Sequence, residues 1–207
     1  MPSLRSYCTA GALALACAAP VHAGGFLGID HRLDIDNDGL WARKQQHRLM
    51  TTLIASEILV GLWEGGDSRL GRTAWQSIDA TIIGGVSTEA MKHIFRRVRP
   101  DSTDNPNLWF RTGHDHSFPS GEVTMFTAVV TPFILEYRED HPWVYALAAL
   151  PVYDGIARMK TRGHWQTDVL AGMLIGAASG YYSHNRRTSF TLGLMPHGIQ
   201  VGLKGKF

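Results

Sequence analysis

The sequence predicts an all-α fold: a helical bundle of about five core helices, followed by a short C-terminal β-hairpin. Three observations support this. Apolar residues recur at helical spacing through long segments, as at Leu49, Leu53, Ile58 and Leu59. Polar stretches rich in glycine or proline punctuate those segments, among them Gly65-Gly66-Asp67-Ser68 and Arg138-Glu139-Asp140-His141-Pro142. After Asn185-Arg186-Arg187 the period falls to two: Phe190, Leu192 and Leu194 alternate, as do Ile199, Val201 and Leu203, with Pro196-His197-Gly198 between.

In chain order, residues 1–23 read as a signal peptide. Arg5 precedes an apolar run from Ala10 to Ala19, and Val21-His22-Ala23 supplies a small-residue cleavage site. An exported protein of the periplasm or cell envelope is therefore expected. Both cysteines, Cys8 and Cys17, lie inside this segment, so the mature chain would carry no thiol. A lipidated Cys17 is the lesser alternative, because Ala14 stands where a leucine is usual.

Residues 24–187 form the main domain of the 207-residue chain, long enough to bury a core. Gly24–Arg32 has no period and reads as an irregular arm. Asp34-Ile35-Asp36-Asn37-Asp38-Gly39 copies half of a calcium loop, but Gln45 stands where a bidentate Glu should close it. A polar loop capping the next helix is preferred to a metal site.

The first helix is expected over Leu40–Leu62. The second starts at Ser77-Ile78-Asp79 and runs to Arg99, with Gly84 and Gly85 as close-packing points. Residues 101–117 form a polar loop. His114-Asp115-His116 lacks further ligands for a metal and is read as lining a site entrance. Trp109, Phe110 and Phe118 either pack beneath this loop or touch a lipid chain. The third helix covers Ser120–Tyr137, the fourth Trp143–Arg158 with a kink at Pro151, and the fifth His164–Tyr182. Gly172, Gly176 and Gly180, four apart, allow close helix packing. No run reaches the roughly 18–20 apolar residues of a membrane span. Residues 188–207 form the hairpin.

The net charge of +2 gives no reason to expect a nucleic-acid partner. Three short stretches instead point to anion chemistry. Lys92 and Arg99 are seven apart, two helical turns, with Pro100 ending the helix. Phe118-Pro119-Ser120-Gly121-Glu122 reads as a turn into a helix whose first N–H groups are unpaired, with the Ser120 hydroxyl as a further donor. In Arg158-Met159-Lys160-Thr161-Arg162-Gly163-His164-Trp165-Gln166-Thr167-Asp168 a guanidinium precedes His164, and Asp168 follows it by four. If Gly163 opens the helix, the carboxylate can hold one ring nitrogen and leave the other free as nucleophile or base. An ordinary polar pair on a solvated helix is the alternative for that stretch alone.

Taken in order, K-x6-R-P, P-S-G and R-x5-H-x3-D resemble the three-part signature of the type 2 phosphatidic acid phosphatase and vanadium haloperoxidase superfamily. The match runs from Lys92 to Asp168. The resemblance implies that Lys92, Arg99 and Arg158 hold phosphate oxygens and that Ser120 and Gly121 donate to them. It further implies that His164 attacks phosphorus, oriented by Asp168, to give a phosphohistidine without a metal or other cofactor. Vanadate would act as inhibitor or mimic.

Two positions depart from the pattern. Ala157 replaces a serine, and Glu122 replaces the histidine that protonates the leaving oxygen. Glu122 is then the expected acid, which requires its protonated form and hence an acidic optimum, since an ordinary Glu titrates near ~4.3. The implied activity is hydrolysis of a phosphate ester or lipid (pyro)phosphate, on a phosphorylated small molecule or lipid phosphate, with room for peripheral membrane contact. The alternatives are a catalytically impaired relative that binds phosphate or lipid phosphate, a vanadate-dependent haloperoxidase, or a scaffold docking through its hairpin. The haloperoxidase is less favoured, because that branch also uses the absent histidine. Oligomeric state is not legible.

Overall fold

The computed structural model describes residues 24–113, 116–186 and 189. The signal peptide at residues 1–23 and, apart from Ser189, the hairpin at 188–207 lie outside the described residues. Five α-helices form the described fold: α1 (Arg43–Glu64), α2 (Arg69–Phe95), α3 (Gly121–Tyr137), α4 (Ala149–Lys160) and α5 (Gln166–His184). Short 3-10 turns cover Gly39–Trp41 and Pro142–Ala148.

The apolar helix α3 is the centre of the bundle. It buries Val123, Phe126, Ala128, Val129 and Val130, packs most extensively against α5 and α2, and also meets α4 and α1. Its contact with α5 depends on the glycines spaced four apart. A Cβ at Gly172 would lie 2.6 Å from the Ser120 carbonyl, one at Gly176 2.4 Å from the Thr124 carbonyl, and one at Gly180 2.5 Å from Thr131 Cβ. With only hydrogen there, the backbones close up, and Ser120 N–H donates to the Asp168 carbonyl at 3.0 Å. The start of α3 is thereby fixed against the first turn of α5. Gly84 plays the same part between α2 and α3, where a Cβ would meet Thr124 at 3.0 Å.

Several expected boundaries are corrected. Helix α2 starts at Arg69 rather than Ser77, because Ser68 caps it by accepting the Gly71 N–H at 2.9 Å. It ends at Phe95, where Arg96 takes a left-handed conformation (φ 43°) and its N–H closes onto the Lys92 carbonyl. Lys92 and Arg99 therefore do not share a helix face; Arg99 lies on the segment that follows. Pro151 is the third residue of α4, where its missing N–H costs no intrahelical bond, so it is a first-turn proline and not a kink. Helix α5 starts at Gln166, leaving His164 just ahead of it.

One guanidinium ties the irregular parts together. Arg97 is fully buried and pairs with Asp30 and Asp168 at 2.6 Å each. It also donates to the Pro106 carbonyl and the Thr167 hydroxyl, and lies over the Trp109 and Trp165 rings. Asp30 in turn accepts from Thr167 N–H and Oγ1. Residues 24–32, with no period of their own, are thus anchored to the start of α5. In the neighbouring loop, Asn37 accepts the Arg43 N–H at the head of α1 and Asp36 pairs with Lys160 at 3.3 Å.

Candidate functional site

Most of the residues singled out by sequence converge where the starts of α3 and α5 meet the ends of α2 and α4. Lys92, on the last turn of α2, has its Nζ 3.4 Å from where a Cβ on Gly121 would lie. Arg99 donates to the Gly163 carbonyl at 2.9 Å and to the His116 carbonyl at 3.3 Å. Arg158, near the end of α4, presses its guanidinium on the same glycine, and a Cβ on Gly163 would stand 2.4 Å from Arg158 Nη2. Two cations from distant segments therefore flank the residue before His164, and only glycine leaves room for them.

The donors aimed into this space are short of partners. Ser120 Oγ and Arg158 Nε are buried and make no hydrogen bond among the described residues. Ser120 stands at the N-cap of α3, whose first N–H groups add the positive end of a helix dipole. Burial, with Arg99 and Arg158 nearby, lowers the pKa of Lys92 despite the opposing Glu89. Burial also lowers Arg158, to about 10, which still leaves it charged at neutral pH. Cations crowded in this way repel one another, and a bound anion would relieve that repulsion.

His164 is almost wholly buried, and its Nδ1 lies 2.6 Å from the Ser117 carbonyl. A carbonyl can only accept, so Nδ1 carries the proton and Nε2 keeps its lone pair. Burial pushes the ring pKa down to about 4, with Arg158 and Arg99 adding to the effect against Asp168. The imidazole is thus neutral, and nucleophilic at Nε2, across the physiological range. The orienting role expected of Asp168 is corrected in its geometry. Its Oδ2 is 3.8 Å from His164 Nδ1, beyond hydrogen-bond reach, and instead accepts the Trp165 N–H at 2.8 Å, while Oδ1 is held by Arg97. The i, i+4 spacing was legible; the carbonyl that holds the ring was not.

Glu122 lies beside the cluster but in the wrong ionisation state for the role expected of it. Arg43, on α1, grips it through both guanidinium nitrogens, and Arg158 Nε is 4.0 Å from its Oε2. Burial would raise its pKa, but the Arg43 hydrogen bonds and the Arg158, Arg43 and His47 charges outweigh that and hold it below the usual carboxylate value. A proton donor must be protonated, and this environment favours the anion.

Arg43, Arg97 and Asp30 escaped the sequence reading. Arg97 sits between the two motif cations, and only its full burial distinguishes it from Arg96. Arg43 is 79 residues from Glu122 and gives no local signal. Of the candidate triplet His114-Asp115-His116, the first two lie outside the described residues. His116 contributes its carbonyl to Arg99.

An apolar groove of about 470 Å³ is lined by Phe26, Met91, Phe95, Trp109, Phe118 and Leu174 among others. Phe95, Trp109 and Phe118 pack edge to face with ring centres 5.2–6.1 Å apart. Met91 and Thr167, both in the lining, are the chain neighbours of Lys92 and Asp168.

Comparison with known proteins gives a consistent picture. Residues 73–190 match the family model described as the PAP2 superfamily. The lipid A 1-phosphatase of Porphyromonas gingivalis is 34% identical over 106 residues, which is 50% of this chain and 21% of that protein. The chain thus spans only about a fifth of that relative's length. Similar solved structures include Aquifex aeolicus LpxE, at 22% identity and TM-score 0.46, covering 66% of this chain and 83% of that one. Another is a transmembrane PAP2-type phosphatidylglycerolphosphate phosphatase from Bacillus subtilis, at 21% identity and TM-score 0.47, covering 70% and 69%. The expected location, exported to the periplasm or cell envelope, is corrected: a similar solved structure is described as transmembrane. Among the described residues, no helix is long and apolar enough to cross a membrane.

Proposed function

This chain belongs to the PAP2 superfamily, and on that footing we propose that it is a phosphatase hydrolysing a lipid phosphate or lipid pyrophosphate through a phosphohistidine. The observation that carries the reading is the convergence of Lys92, Arg99, Arg158 and the Ser120 hydroxyl on the space beside His164. There a phosphate has its charge matched on several sides and a neutral ring nitrogen within attacking range. His164 Nε2 forms a bond to phosphorus as the bond to the ester oxygen breaks. Water then cleaves the phosphohistidine and releases inorganic phosphate. The three cations and the α3 N-terminus supply the charge stabilisation, so the step requires no metal, and vanadate competes as a phosphate mimic.

The groove favours a lipid. An apolar chain could lie against Phe95, Trp109 and Phe118 in a groove whose lining includes Met91, the chain neighbour of Lys92, and burial at about 25 cal/mol per Å2 would add binding energy remote from the reaction. Exposed apolar side chains, Trp63 at 85% and Leu174 at 72% among them, suit peripheral contact with a membrane surface. Glu122 acts as an ionised brace for Arg43 and Arg158. With no acid there, substrates whose leaving group departs with little protonation are favoured, phosphoanhydrides before alkyl esters.

The test is turnover of the protein on a soluble phosphomonoester and on a lipid diphosphate, beside His164→Ala and with vanadate. The reading expects faster turnover of the lipid diphosphate, loss of both activities in His164→Ala, and inhibition by vanadate. Undiminished turnover in His164→Ala would refute it. A second reading, a phosphate or lipid-phosphate binder without turnover, is favoured by the tight hold of Arg43 on Glu122. Equilibrium binding with no product would establish it.

A further inference from the structure

Asp154 sits one helical turn before Arg158 on α4, on the same face of the helix. It is wholly buried, and neither carboxylate oxygen accepts a hydrogen bond among the described residues. Nothing in the proposed chemistry uses it. A buried ionised carboxylate without donors is strongly disfavoured, so such a group holds a proton far above the usual range. Here burial, reinforced by the Glu122 charge and opposed by Arg158 and Arg43, raises its pKa to about 7.

The charged groups that act on it come from α1, α3 and α4 itself. Helix α1 brings Arg43 and, beside Glu122, His47; α3 brings Glu122; and α4 itself brings Arg158. Helix α5 packs on α4 at Gly155 through Val169 and Met173, both apolar. The inner cluster is thus Arg43 and Arg158 against Glu122, with Asp154 as its variable member. With Asp154 neutral, the cluster has one surplus positive charge; with Asp154 ionised, it has none.

We propose that Asp154 is a proton-linked positioning residue: its carboxyl must be protonated for Arg158 to present an uncompensated charge to phosphate, so anion binding draws a proton onto it. This rests on the reading of Arg158 as a phosphate ligand. It gives the site an upper pH limit that neither His164 nor Glu122 supplies. Asp154 is fully buried and acts through Arg158 without touching substrate. By linkage, a carboxyl titrating at about 7 whose ionised form excludes the anion makes apparent affinity fall about tenfold between pH 6 and pH 8.

The experiment is titration calorimetry with inorganic sulfate, whose charge is constant across this range. It is run near pH 5.5, 6, 7.5 and 8 in buffers of different ionisation enthalpy, on the wild-type chain and on Asp154→Asn. The wild type is expected to take up a large fraction of a proton per sulfate at pH 7.5 and almost none at pH 5.5, with affinity falling about tenfold from pH 6 to 8. Asp154→Asn, an uncharged isostere, should bind at every pH as the wild type does at pH 5.5 and take up no proton in this window. Equal proton uptake in the two proteins, or wild-type affinity flat with pH, would overturn the proposal. If Asp154→Asn does not fold, Asp154→Ser takes its place, and proton uptake equal to the wild type's overturns the proposal. Sulfate binding to neither protein at any pH would instead remove the phosphate-site reading, and this inference with it.

Discussion

Replacing Arg97 with methionine should be among the most destabilising single changes in the chain. The substitution keeps much of the side-chain length but leaves Asp30 and Asp168, both fully buried, without the cation that lies 2.6 Å from each. Removing one partner of a buried ion pair typically costs about 3–5 kcal/mol, because the remaining charge is left in a low-dielectric interior. Here one cation serves two carboxylates, and the Pro106 carbonyl and Thr167 hydroxyl also lose their donor. The expected loss is therefore at the upper end, about 5 kcal/mol, against a total stability of about 5–15 kcal/mol for a typical domain. Urea unfolding at neutral pH measures it, provided the slope with denaturant is unchanged. Adding Asp30→Asn removes one of the two stranded charges, so the double variant should lose less than the sum of the singles, with a coupling of about 0.5–3 kcal/mol. A loss below about 1 kcal/mol for Arg97→Met, a value ordinary for surface substitutions, would refute the reasoning.

Three further outcomes are expected. Glu122→His, the change that would match the family pattern, should cost about 1.5–3 kcal/mol by stranding Arg43 and should not raise turnover at neutral pH; adding Arg43→Gln should restore the melting temperature. A single substitution that accelerates turnover would return Glu122 to the role of acid. His164 titrates near 4 in the folded chain against 6.5 when unperturbed. Its contribution is therefore present above pH 6.5 and lost as pH falls through 4, about 3 kcal/mol in all, and His164→Gln should flatten that part of the stability profile measured by urea melts. Gly163→Ala would force a Cβ to within 2.4 Å of Arg158 Nη2. It should lower kcat/KM at least about tenfold through misplacement of that cation, with a circular-dichroism spectrum like the wild type's.

The fold was legible wherever local chemistry decides it. The five helices follow from apolar period and from glycine and proline breaks, and the spacing of Gly172, Gly176 and Gly180 correctly announced a close helix contact. Helix ends were less legible, because a cap such as Ser68 or a left-handed Arg96 is a single-residue decision that neighbouring periodicity outweighs. The candidate site divides in the same way. Residues in short motifs, such as Lys92, Ser120, Arg158 and His164, could be named in advance because spacing reports on them. Arg43, Asp30, Ser117 and Asp154 could not, since their roles come from contacts between distant segments or from burial, which a linear pattern does not encode. Glu122 stands out in the sequence as a departure from the motif, but its ionisation does not, because the partner that sets its charge is 79 residues away.

The imidazole of His164 leans on the peptide oxygen of residue 117, and no codon change can delete a main-chain oxygen. Sensitivity at this point therefore shifts from residue identity to loop length. Replacing Ser117 should be tolerated where its hydroxyl alone is lost. Adding or removing one residue between Arg111 and Phe118 would slide a different carbonyl, or none, beneath the ring and release its tautomer. Engineering of that loop has to conserve its count before its letters.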